Sequence, residues 1–290
     1  MDTIYTCATD TTFPLLATIS DAPKSLYAIG TLPQKEYKYL CVVGTRSPTA
    51  YGAMVVEKLL AGLTQYPICI VSGLALGIDG IAHEQALALG LPTIAVPGSG
   101  LREDVLYPRR HRILAKKIVS SGGLLLSEFE PDFTAQMWSF PKRNRIMAGL
   151  SHATLIIEAT EKSGTLITAR LALEYGREVL AVPGSIYSAT SQLPHALIRD
   201  GATPIRTPED ILEALGISTY ADTPPQPRIL SAAERAVLSI ISREPMERDV
   251  LLRELRMPPH EAITLFSAME LRGLLHEQGG YMYPSITYTP

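Results

Sequence analysis

Charge is scarce in this chain. Only 19% of its 290 residues are Asp, Glu, Lys or Arg, and they sum to a net charge of −3. The whole protein therefore has no basic footprint, and any nucleic-acid site has to be a local cluster. With 46% hydrophobic residues, so low a charge also excludes a disordered chain. Cysteine is scarce too: Cys7, Cys41 and Cys69 are all there are. No two have metal-ligand spacing, and an odd number argues against a disulfide framework. Cys41 and Cys69 lie in apolar runs, where cysteine serves as a small core residue. No apolar run reaches the roughly 18–20 residues of a membrane span. Met1–Asp10 lacks the basic start and apolar stretch of a secretion signal. The expectation is a soluble cytoplasmic protein without metal, cofactor or membrane partner. Missing as well is Gly-x-Gly-x-x-Gly in the first glycine turn. Gly44-Thr45-Arg46-Ser47-Pro48-Thr49 stands there, with an arginine inside the loop. That weakens a dinucleotide reading and favours contact with a phosphate or a base.

What is present is an alternation of apolar runs and amphipathic segments. Strands are expected at 39–43, 68–71, 93–96, 124–126, 154–157, 179–181 and 203–205. Helices are expected at 51–64, 78–89, 110–120, 142–150, 165–175, 192–199 and 208–215. Fully apolar strands alternating with helices imply a parallel sheet covered on both faces. Residues 36–217 thus read as an enlarged Rossmann-like α/β domain. Residues 1–35 read as a short segment that packs on this core. Residues 218–230, with Thr223-Pro224-Pro225-Gln226-Pro227, read as a proline-rich linker. In 231–285, a Ser231/Glu234 capping box opens the first of three helices, and a hairpin around Gly279-Gly280 follows. Three helices and a hairpin suggest a small winged-helix domain. Residues 231–284 hold six Lys/Arg against eight Asp/Glu, and the expected recognition helix, 260–271, carries Glu261 and Glu270 with no Lys or Arg. Reading duplex DNA needs phosphate-binding charge, so this module is expected to contact protein or to regulate.

Glycines follow strand ends at Gly44, Gly73, Gly98, Gly164 and Gly184, on the edge of a parallel sheet where ligands bind. Two anion-binding devices flank the strand at 153–157. One is the run Lys142-Arg143-Asn144-Arg145 after Phe140-Pro141. The other is Ser163-Gly164-Thr165 at a helix start, where backbone N–H groups and the helix dipole favour an anion. The site expected from these residues has Arg46 on a phosphate or base, with Ser72 and Gly73 supplying a hydroxyl and a backbone N–H. Lys142, Arg143 and Arg145 neutralise phosphates, Asn144 bonds sugar, base or a neighbouring loop, and Gly164 and Thr165 cap a phosphate. Lys142 and Arg145 share a helix face and Arg143 points away from it. One of the three is expected to pair internally with Glu158 or another core acid. Phe140, read as lying at a strand end, is divided evenly between base stacking and packing. Trp138 is expected to pack. A further basic cluster at 101–117 either extends a nucleic-acid path or is a solvated surface. Asp79 is expected to hold loop geometry and His83 to pack.

These motifs stand in one order. Gly44–Gly52 comes first, then Ser72-Gly73-Leu74-Ala75-Leu76-Gly77-Ile78-Asp79-Gly80-Ile81-Ala82-His83 and Phe140–Ser151. Glu158-Ala159, Ser163–Ala169, Gly176-Arg177-Glu178-Val179 and Ala181-Val182-Pro183-Gly184 follow. Over about residues 12–285 the chain resembles the DNA-processing protein A (DprA/Smf) family. The resemblance implies an extended Rossmann fold that binds single-stranded DNA, and a homodimer formed through that domain. It implies a RecA-type recombinase as partner, loaded onto protected incoming DNA in natural transformation and recombination. It implies no established catalysis, and a C-terminal winged helix as in many members. The segment before the core is shorter than the helical domain many members carry there. The competing reading is a nucleotide-binding Rossmann-like enzyme, such as a nucleoside monophosphate phosphoribohydrolase. Against it, Ala169-Arg170 follow the Ser163-Gly164-Thr165 turn where a catalytic glutamate would be sought, and Glu174 has no evident base partner. A third reading is an inert core that serves as a scaffold for the winged helix.

Overall fold

The structure, a computed structural model, describes residues 3–32, 36–217, 231–242, 245–255, 257–271, 274–278 and 280–284. The proline-rich stretch 218–230 lies outside them. The chain divides into two compact units, Met1–Thr219 and Tyr220–Pro290.

The first unit is built on a nine-stranded sheet. Its strands are β1 (Tyr5–Ala8), β2 (Ser25–Gly30), β3 (Lys38–Val43), β4 (Ile68–Ser72), β5 (Thr93–Ala95), β6 (Leu124–Ser127), β7 (Ala153–Ile156), β8 (Glu178–Ala181) and β9 (Thr203–Pro204). Their order across the sheet is β1-β2-β6-β5-β4-β3-β7-β8-β9. From β6 to β9 all pairs are parallel, matching the seven strands read from the sequence. β1 and β2 add an antiparallel edge. The segment before residue 36 is therefore part of the sheet as well as packing on it. Its short helices α1 (Thr9–Thr12) and α2 (Pro14–Ala17) place Phe13 and Leu16 in the core, and Ile19 joins them there. Strand β4 is buried along its whole length, as a central parallel strand covered on both faces must be.

The crossover helices are α3 (Ala50–Ala61), α4 (Ile78–Ala88), α5 (Arg112–Ser120), α6 (Ser139–Leu150), α7 (Gly164–Glu174), α8 (Gln192–Arg199) and α9 (Pro208–Ala214). One apolar layer joins α6, α7 and α8 to the sheet, and another joins α3, α4 and α9 to its opposite face. From β3 the chain runs outward through β4, β5 and β6, then returns to β7 on the other side of β3. The strand order reverses there, so a crevice opens at the carboxyl ends of β3 and β7.

In the second unit, α10 (Ala232–Ile241), β10 (Met246–Glu247), α11 (Arg248–Glu254), α12 (Pro259–Leu271), β11 (Leu275–Gln278) and β12 (Tyr281–Pro284) form the expected helices and hairpin. The capping box is present: Ser231 Oγ accepts from Glu234 N at 3.1 Å, and Ser231 N donates to Glu234 Oε2 at 2.7 Å. β10 adds a third strand to the hairpin. Val237, Leu251, Phe266, Met269 and Met282 close a separate small core. No helix among the described residues is long and apolar enough to cross a membrane.

Candidate nucleic-acid interface

Three loops and the start of α6 meet at the carboxyl edge of the sheet. Around them lies a recess of about 20 Å³, room for little more than a water molecule, walled by Arg46, Gly73, Leu76, Tyr107, Phe140 and Arg143 among others. Arg46 is exposed, and its guanidinium stands 5.5 Å from the centroid of the Phe140 ring. Tyr107 meets the same ring at 5.5 Å and is 44% exposed. A fork of donors and two aromatic rings thus share one accessible wall. Such a wall can hold a phosphate and stack a base.

The loop 72–77 behind this wall is tightly held. Leu74 adopts φ +57° although it carries a side chain, and it is fully buried. Strain of this kind persists only where the surroundings over-determine it. Asp79 accepts the backbone N–H of Gly73 at 3.1 Å. His111 Nδ1 bonds Leu74 O at 2.8 Å, and Arg143 donates to the carbonyls of Gly73 and Val96. Burial pushes the Asp79 carboxyl above its ordinary range, and Arg143 pulls it back down. Burial likewise lowers the Arg143 guanidinium, with Asp79 opposing. Asp79 therefore does hold loop geometry. His83 is fully buried, bonded to Thr93 Oγ1 at 2.7 Å, and burial lowers it to about 3.

Several expected donors are used by the fold itself. Ser72 is fully buried and donates its hydroxyl to Val42 O at 2.7 Å, so it joins β4 to β3 and offers nothing to a ligand. Arg143 is 4% exposed and shares its Nε with Asn144 Oδ1 at 3.1 Å. Asn144 in turn reaches Gly164 O at 3.4 Å, the neighbouring-loop contact among its expected roles. Arg145 is 7% exposed and pairs with Glu128 and Asp21. The expectation of one internal cation thus becomes two: Arg145 pairs with Glu128 and Asp21, Arg143 is balanced electrostatically by Asp79, and Glu158, one of the acids considered, pairs with neither. Lys142 does share a face with Arg145: it lies 3.4 Å from Glu128 and 5.6 Å from the Phe129 ring centroid. With its side chain 44% exposed, it is the one member of the run still open to solvent.

At the other device, Ser163 caps α7 by accepting from Thr165 N at 3.2 Å. Thr165 spends its hydroxyl on Gly44 O at 3.2 Å, tying the two glycine loops together. Gly164 is exposed, with open space at its Cα. Phe140 and Pro141 lie in the first turn of α6, not at a strand end. Proline is tolerated there because its missing N–H would have no helical partner. Trp138 packs against Phe129 and Phe133, at 5.8 and 5.5 Å, yet remains 55% exposed. The 101–117 cluster separates into parts. Arg102 pairs with Asp104, Lys116 pairs with Glu103, and Arg112 donates to the carbonyls of Asp104 and Leu106. Exposed Arg109 and Arg110 directly follow Pro108, which lines the recess. Among the described residues no cluster of His, Cys, Asp or Glu could hold a metal.

The family model for DNA recombination-mediator protein A matches residues 4–216, and the one for the DprA winged helix domain matches residues 221–280. The chain belongs to the DNA recombination-mediator protein A (DprA/Smf) family. Protein Smf of Escherichia coli is 38% identical over 278 residues, covering 93% of this chain and 74% of that protein. DNA processing protein DprA of Bacillus subtilis is 45% identical over 202 residues, 69% of this chain and 67% of its own. The crystal structure of DprA from Streptococcus pneumoniae shares 40% identity with a TM-score of 0.68, covering 72% of this chain and 74% of that one. DprA from Helicobacter pylori, described in a single-stranded DNA binding mode, shares 31% identity with a TM-score of 0.63. That match covers 74% of this chain and 98% of the other. The family's Rossmann-like region and winged helix both lie within this chain.

Proposed function

We propose that this chain binds single-stranded DNA at the recess and delivers it to a RecA-type recombinase during DNA processing in transformation and recombination. The observation that carries the reading is the exposed Arg46 guanidinium over Phe140 with Tyr107 beside it. A single strand offers both a phosphate and an unstacked base to such a wall, whereas a duplex hides its base faces. Lys142, Arg109 and Arg110 supply further exposed charge for the backbone. The single-stranded DNA binding mode of the Helicobacter pylori relative supports the same reading. Protection of the bound strand, dimerisation through the Rossmann-like unit, action in the cytoplasm and the absence of catalysis belong to this proposal as well.

The test is fluorescence anisotropy of a labelled oligo-dT across a salt series, with duplex of equal length as competitor. Salt-sensitive binding that duplex does not displace is the expected result. No binding at low salt would overturn the proposal and turn attention to nucleotide hydrolysis. Recombinase delivery is tested separately, by filament formation on strands coated with a single-strand-binding protein.

A further inference from the structure

Parallel α/β sheets that bind nucleotides seat a phosphate at the N-terminus of the helix after the first parallel strand, beside the point where strand order reverses. In this chain that place lies between β3, α3 and the end of β7, and the protein fills it. Glu158, just after β7, is 3% exposed. Its carboxylate accepts from Thr49 N at 2.9 Å, Thr49 Oγ1 at 2.7 Å and Thr190 Oγ1 at 2.9 Å. Thr49 is the N-cap of α3, so the helix entrance and its dipole are directed at this carboxylate. Space for it exists because residue 52 is glycine: a Cβ there would overlap Oε2 and lie 2.9 Å from Cδ. The backbone of Glu158 takes a further donor of the loop, since Thr45 N bonds Glu158 O at 2.6 Å. No Lys or Arg forms an ion pair with Glu158 among the described residues. Its charge is held by backbone and hydroxyl donors alone, the set that a nucleotide phosphate takes in such folds.

We infer that Glu158 is a specificity-determining residue, an internal anion that occupies the nucleotide-phosphate seat and bars free mono- and dinucleotides from the β3/β7 crevice. The inference rests on the proposed strand binding in one respect only. With the seat filled, ligand phosphates are met at the adjoining recess by Arg46. A continuing strand can run past that recess, while a free nucleotide finds no seat for its terminal phosphate.

The experiment compares thermal unfolding of the full chain with Glu158→Ala and Glu158→Gln, titrated with inorganic phosphate or AMP at constant ionic strength in chloride. Glu158→Ala opens the seat. Phosphate is expected to raise its Tm by about 3 °C or more once it exceeds the dissociation constant roughly tenfold. Wild type and Glu158→Gln, with the seat still filled, are expected not to respond. If Glu158→Ala does not fold in chloride, its recovery on refolding in phosphate is the readout. A Glu158→Ala protein indifferent to phosphate, folded or unfolded, overturns the inference, and so does an equal response in wild type. Oligo-dT binding by the wild type is measured alongside. Its absence would remove the strand-binding reading and leave the phosphate result for Glu158 standing.

Discussion

Two arginines that line the recess carry opposite duties. Arg46 is exposed, and its guanidinium stands over the Phe140 ring with no ion pair among the described residues, so its loss should spare the fold and weaken binding. Arg46→Ala is expected to reduce oligo-dT affinity about tenfold, near 1.4 kcal/mol. It should also lower the slope of log affinity against log salt by about 0.7, the share of one single-strand phosphate. An unchanged slope would remove Arg46 from the phosphate contacts. Arg143 is the opposite case, a buried cation whose donors hold the Gly73 and Val96 carbonyls opposite buried Asp79. Arg143→Ala should cost stability on the order of 3–5 kcal/mol, because it leaves Asp79 uncompensated. The double variant with Asp79→Ala should recover part of that loss. Denaturant titration of the two single variants and the double variant checks this, and strict additivity would deny the coupling.

At the scale of elements, the recess depends on how the 44–49 and 72–77 loops are wedged together. Gly77 is the wedge: its φ is +82°, and a Cβ there would lie 2.7 Å from Arg46 Cα. Gly77→Ala is therefore expected to destabilise the first unit by about 1–3 kcal/mol. It should also weaken oligo-dT binding, because the displaced loop carries Arg46. Normal affinity in a destabilised Gly77→Ala protein would show that the two loops act independently. The sequence made these elements legible to different degrees. Continuous apolar runs such as Ile68–Val71 announce buried parallel strands, because only a strand covered on both faces tolerates them. β1 and β2 escaped because Tyr5–Ala8 and Ser25–Gly30 are short and are separated by a punctuated stretch with Pro14 and Pro23, which hides their pairing. Glycines after strand ends located the crevice. Which cations faced it was not legible, because Arg143 and Arg145 owe their burial to Asp79 and Glu128, which lie far from them in sequence. Spacing fixed the shared face of Lys142 and Arg145 but could not say that Glu128 was the acid waiting there.

For the molecule as a whole, the first unit folds around two histidines that burial keeps neutral. Burial lowers His83 to about 3 and His152 to about 4, whereas both take a proton near 6.5 when unfolded. Between these values the unfolded chain binds more protons than the folded one, so stability falls as pH drops from about 6.5. His83 alone should cost on the order of 2 kcal/mol by pH 5. Asp79, whose carboxyl is raised, acts in the opposite sense, which is why the variant is needed as well as the scan. His83→Gln should flatten the decline of Tm between pH 7 and 5, and an identical decline would exclude His83 as a contributor. Charge separates the two units by duty. Residues 36–217 balance seventeen Lys/Arg with seventeen Asp/Glu, while residues 231–284 carry an acidic excess, six against eight. On the first unit, Arg46 is exposed at the recess, and Lys142, Arg109 and Arg110 are exposed as well. In the second, the described exposed positions of α12 include Glu261, Ile263 and Glu270 and offer no Lys or Arg to a phosphate. The first unit also closes its own apolar layers, and the second closes its own small core. A chain ending at residue 223 should therefore keep its fold and hold oligo-dT within about twofold of the full-length affinity, since a net-acidic module adds no counterion release. Anisotropy on the two lengths, at matched salt, decides the matter. A near-complete loss on truncation would place the strand on the winged helix and leave the Arg46 recess a structural feature only.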